Sequence, residues 1–128
     1  MTEIKSDQYG YLVEEVFDAV EDSGIERGSI RFVYLFGSYL EDPEEANDID
    51  LAVSLDVKNH ERAEYKLRGR VPEGLDLSVF ECLPLQVKKE VLEGELIYAG
   101  DNSVYDIAYQ TLKDFSRFEP FYRISIGA

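Results

Sequence analysis

Apolar residues at Leu12, Val13, Val16, Phe17 and Val20 recur at the spacing of one helix face, with Glu14, Glu15, Asp18, Glu21 and Asp22 between them. The pattern predicts an amphipathic helix over residues 7–21, with Ser6 as N-cap and Gly24 as the stop. Ile30–Phe36 is then almost continuously apolar and rich in aromatic and β-branched residues. Such a run predicts a strand buried on both faces, hence central in a sheet covered by helices. Gly37 and Ser38 end it, and residues 39–47, with Pro43 and the acids Glu41, Asp42, Glu44 and Glu45, read as a loop. Ile49–Leu55 alternates. Asp48, Asp50, Ala52 and Ser54 share one face, and Ile49, Leu51, Val53 and Leu55 share the other, which faces the core.

Residues 59–70 hold Arg62, Lys66, Arg68 and Arg70, the only locally basic stretch, and read as a short helix capped by Asn59. A third strand over residues 75–80 puts Leu75, Leu77 and Val79 on one face and Asp76 and Ser78 on the other. Pro84 suits the first turn of a helix through Leu92, with Val87 and Val91 one turn apart and Gly94 ending it. A brief strand over residues 96–98 follows. Ser103 and Asp106 read as a capping pair for a second long amphipathic helix bearing Val104, Ile107, Ala108, Leu112 and Phe115. An aromatic tail with Phe118, Pro120, Phe121 and Tyr122 comes last. The whole reads as one α/β (α+β) domain over residues 1–128, a mixed sheet flanked by helices.

Composition narrows the functional classes. The chain has 128 residues, 45% of them hydrophobic, enough for one core without disulfide staples. Cys82 stands alone and no N-terminal run resembles a signal peptide, so a reducing cytoplasm is the expected location. No stretch approaches the ~20 apolar residues of a membrane span, so a soluble protein without a membrane partner is expected. Thirteen bases against twenty-seven acids give a net charge of −14. That balance argues against direct nucleic-acid binding and requires bridging metal ions or a local basic patch wherever phosphate is held. With His60 the only histidine, neither a zinc site nor a Cys–His pair can be assembled from the usual ligand numbers.

Three features carry the chemistry: Gly37-Ser38 after the buried strand, Asp48-Ile49-Asp50 opening the next, and Asp76 within the third. Aspartates at i and i+2 of a strand present two carboxylates on one face, about 7 Å apart at Cα. Hard oxygen ligands suit Mg²⁺, and two such ions about 4 Å apart stabilise the attacking and leaving oxygens of an in-line displacement. A third carboxylate can activate the attacking hydroxyl, which makes nucleotidyl transfer the matching reaction. A glycine lacks the Cβ that would block a phosphate, and Ser38 can donate to its oxygens. Taken singly, alternating acids are more often a solvated strand face, a Gly-Ser pair an ordinary turn, and the Arg62, Lys66, Arg68, Arg70 cluster a solvated helix face. Their order and placement favour a site.

At these residues the sequence resembles the minimal nucleotidyltransferase (MNT) family of the DNA polymerase β superfamily. The stretches are Leu35-Phe36-Gly37-Ser38, then Asn47-Asp48-Ile49-Asp50-Leu51-Ala52-Val53, and Leu75-Asp76-Leu77. The resemblance implies a polymerase-β-type fold, Asp48 and Asp50 as metal ligands, Asp76 as the third carboxylate, and Gly37 and Ser38 as the nucleotide-phosphate turn. It also implies two Mg²⁺ ions, ATP as substrate and an antitoxin role, with AMP transferred to a tyrosine of a HEPN-domain toxin partner. Tyr105 and Tyr109 on the last helix are candidates for the pairing surface. Two departures stand out: Glu41 where family members often carry arginine, and a nine-residue spacer between Ser38 and Asp48, one shorter than the common pattern. They motivate an alternative, an antitoxin that neutralises its partner by binding alone. Transfer to a small hydroxylated acceptor such as an aminoglycoside ranks lower, because the short chain offers no second domain to form its pocket.

Overall fold

In a computed structural model, described over residues 4–5 and 8–125, the chain runs β1 (Ile4–Lys5), α1 (Gly10–Asp22), β2 (Ile30–Phe36), α2 (Ser38–Glu41), β3 (Ile49–Leu55) and α3 (His60–Leu67). It continues as β4 (Leu75–Val79), α4 (Leu85–Leu92), β5 (Glu95–Ala99) and α5 (Ser103–Ser125). The five strands form one sheet in the order β1-β5-β2-β3-β4, so the most apolar strand is the central one. All pairings are antiparallel except β3 with β4, which α3 joins as a parallel crossover.

Alternation along β3 divides the core into two layers. Leu51, Val53 and Leu55 join α1 (Leu12, Val13, Val16, Phe17, Val20) and α3 (Ala63, Leu67) on one face. Ala52 joins Phe32, Tyr34, Phe80 and the residues Val91 of α4 and Val104 of α5 on the other. The sheet is therefore covered on both sides, as the double burial of β2 requires. Among the described residues no helix is long and apolar enough to cross a membrane.

Several local expectations are corrected. α1 begins at Gly10, with Tyr9 preceding it, and Ser6 lies outside the described residues. Residues 38–41 are not loop but one helical turn, held because Tyr39 and Leu40 pack against the core beneath it. Asn59 caps α3 by accepting from the Arg62 N–H at 3.0 Å, but the helix stops at Leu67, where Arg68 leaves helical geometry and Gly69 follows at φ 74°. The third strand closes at Val79 and gives way to a 3₁₀ turn, Phe80–Cys82, that buries Phe80 in the second layer. β5 is a full strand paired on both edges, so its ladder is set by β1 and β2 as well as by its own apolar residues. At the start of α5 the expected Ser103 and Asp106 pair is replaced by Asp101, which accepts the Ser103 N–H at 2.8 Å. The helix then runs on to Ser125, through the segment read as an aromatic tail, whose side chains lie outside the described residues.

Candidate active site

Parallel pairing of β3 with β4 sets Asp50 directly opposite Asp76, and antiparallel pairing with β2 sets Asp50 opposite Phe36. The sequence step from Phe36 to Gly37 thus brings the glycine turn to the same edge of the sheet. Gly37 has φ 83°, a backbone region that L side chains rarely adopt. A Cβ added there would collide with Oδ2 of Asp50. Glycine is thus required by the neighbouring carboxylate as well as by the turn, a reason separate from room for a phosphate. Gly37→Ala is expected to cost about 1–3 kcal/mol of stability through the strained φ and the displaced carboxylate. A chemical-denaturation midpoint unchanged from the parent would contradict that.

Asp50 is half-buried, and its carboxyl is pushed above the ordinary carboxylate range, first by burial and then by the charges of Asp76, Asp48 and Glu90 and a hydrogen bond with Asp76. Asp48 and Asp76 are exposed, Asp48 in the bend just before β3. The structure therefore gathers Asp50 and Asp76 side by side, with Asp48 close enough to act on Asp50. Ser38, the first residue of α2, is exposed beside them. Glu90 of α4 was not among the expected residues. Its signal was its position next to Val91, which is buried in the second core layer, so that an acid borders the apolar stripe.

A cleft of about 310 Å³ opens beside Gly37, lined also by Leu40, Glu41, Glu90, Glu93 and Gly94. Glu41 faces this cleft, so an acid stands next to the turn that a phosphate would approach. The basic segment does not offset it. Ala63 and Leu67 seat α3 on the α1 face of the sheet, whereas Asp50 and Asp76 alternate onto the α4 face. The donor set, carboxylate oxygens without imidazole or thiolate, has the chemistry that Mg²⁺ prefers. Among the described residues no group of three or more histidine, cysteine, aspartate or glutamate side chains is placed to hold a metal ion; the facing pair Asp50 and Asp76 is what the register brings together.

Residues 21–103 match the family described as Polymerase beta, Nucleotidyltransferase, and the chain belongs to that family. No curated protein matches it in sequence. Among solved structures it is similar to a toxin-antitoxin with AMP-PNP, at 21% identity and a TM-score of 0.63, over 88% of this chain and 93% of that one. A mutant MntA-HpeT toxin-antitoxin aligns at 18% identity and a TM-score of 0.68, over 88% and 93% of the two chains. A third is a tri-AMPylated Shewanella oneidensis HEPN toxin in complex with MNT antitoxin, at 20% identity and a TM-score of 0.60, over 88% and 90%.

Proposed function

We propose that this protein is an MNT-type antitoxin that transfers AMP from ATP to a tyrosine hydroxyl of a HEPN-domain toxin. The observation that carries the reading is the register of Asp50 opposite Asp76, with Asp48 beside them and Gly37 turned onto Asp50. The similarity to an AMP-PNP complex and to an AMPylated toxin complex supports the choice of nucleotide and acceptor.

In this reading Asp48, Asp50 and Asp76 would hold Mg²⁺, which would supply charge neutralisation for the phosphates and for the leaving pyrophosphate. Asp76, the most accessible of the facing pair, accepts the proton of the attacking tyrosine hydroxyl. Ser38 donates to a phosphate oxygen from the exposed first turn of α2, and Gly37 keeps Asp50 in place behind it. The crowding of like charges around Asp50 leaves an uncompensated negative field that a cation relieves.

Pyrophosphate release on mixing with ATP, Mg²⁺ and the cognate toxin tests this. Asp48→Asn is expected to abolish release while far-ultraviolet circular dichroism stays unchanged, since Asp48 is exposed and outside the strand ladder. Unchanged release in that variant would remove the metal-ligand role. Glu41, Glu90 and Glu93 in the cleft favour a second reading, neutralisation of the toxin by binding alone. Carboxylate variants that still neutralise the toxin as fully as the parent would select it.

A further inference from the structure

Lys58, Arg62, Lys66, Arg68 and Arg70 lie on or beside α3, and among the described residues none of them pairs with a carboxylate. Three other cations of this acid-rich chain are in ion pairs, Arg27 with Glu14 and Glu21, Arg31 with Asp56 and Glu81, and Lys89 with Glu93. Lys88, Lys113 and Arg117 are not among the described residues' ion pairs either. A cleft of about 570 Å³ is lined by Tyr65, Lys66, Arg68, Gly69 and Arg70, with no acid among them. A neighbouring cleft shares Lys66, adds Arg62, and again has no acid in its lining. Arg68 also lines a separate cleft with Glu61, Glu64 and Glu81, where Glu64 is engaged in accepting the Val79 N–H at 3.0 Å.

The cleft has parts for two kinds of contact. Arg70 donates from Nε to the Lys66 carbonyl at 3.0 Å, which fixes its guanidinium at the end of α3 and leaves its terminal nitrogens free for an anion. Tyr65 is 72% exposed, and the Arg68 guanidinium lies 5.9 Å from its ring centroid. An exposed aromatic face framed by cations is the arrangement that stacks a base while its phosphates are neutralised. The net charge of −14 does not prevent this, because at physiological salt distant charges are screened beyond about 8 Å, whereas the lining cations act at contact range. The size falls within the range of about 300–1,000 Å³ typical of small-ligand sites.

We propose that this cleft, on the sheet face opposite the aspartates, is a second site that binds a nucleoside phosphate through Lys66, Arg68 and Arg70, with the base stacked on Tyr65. It stands apart from the adenylyl-transfer site and needs no metal.

Isothermal titration at low salt, without Mg²⁺, with ATP and with tripolyphosphate as probes, tests the site. Saturable binding of both is expected, equal in the parent and in Asp48→Asn/Asp50→Asn, so the result is independent of the transfer reading. Lys66→Ala/Arg68→Ala is expected to weaken both probes by about tenfold or more, while Arg70 retains its helix-end bond. Tyr65→Ala is expected to weaken ATP by about tenfold and leave tripolyphosphate unchanged. Unchanged thermal midpoints establish that these surface variants are folded. Absence of saturable binding, loss of binding in the aspartate variant, or parental affinity in Lys66→Ala/Arg68→Ala overturns the site. ATP binding unaffected by Tyr65→Ala overturns the nucleoside assignment.

Discussion

Asp50→Asn is expected to reduce the proposed adenylyl transfer by about a thousandfold or more and, at neutral pH, to make the protein more stable than its parent. The first effect follows from loss of a charged ligand at the point where Gly37, Asp76 and Asp48 converge. The second follows from the same crowding. Burial and three neighbouring acids raise the Asp50 carboxyl above its ordinary value, so the folded state holds that proton more tightly than the unfolded chain. Ionised Asp50 therefore opposes folding above its folded-state pKa, and the penalty disappears as pH falls below the unfolded value of about 4. The variant's thermal midpoint should exceed the parent's at pH 7, with the gap closing toward pH 4. A destabilised variant at neutral pH would mean that Asp50 is a structural anchor instead.

Phe32→Ala should have the largest effect on stability. Phe32 is fully buried in the central strand and meets Phe80 edge-on at 5.3 Å and Tyr34 at 5.6 Å between centroids. Removing the ring forfeits its burial and leaves a cavity beneath α4 and α5, at a cost of about 3–5 kcal/mol. Domains of this kind hold only about 5–15 kcal/mol in total, so the thermal midpoint should fall by about 10–20 °C. A fall of less than about 3 °C would show that the second layer collapses around the gap.

What the sequence revealed and what it concealed have physical explanations. β2 and β3 were legible to their end residues because one is apolar on both faces and the other alternates without a break. The carboxylates were legible for the same reason, since strand alternation fixes which side chains share a face. Their direct opposition was not, because register between β3 and β4 depends on a crossover of about twenty residues that no local pattern encodes. β5 was underestimated because its partners lie at the chain's beginning and in β2, far away in sequence. α2 was missed because a four-residue helix has no period to read and rests on Tyr39 and Leu40 packing below it. Glu90 reached the site through the packing of α4, again a tertiary fact. The basic segment is legible in the sequence as local and basic, but only the layer assignment shows that it faces away from the aspartates.

The most direct test of the central claim is the intact mass of the cognate HEPN-domain toxin after incubation with this protein, ATP and Mg²⁺, beside an Asp48→Asn/Asp50→Asn control. One or more added adenylates, present with the parent and absent with the control, is the predicted result, and peptide mapping would place them on tyrosine. A stable complex whose toxin keeps its original mass would contradict adenylyl transfer and leave neutralisation by binding.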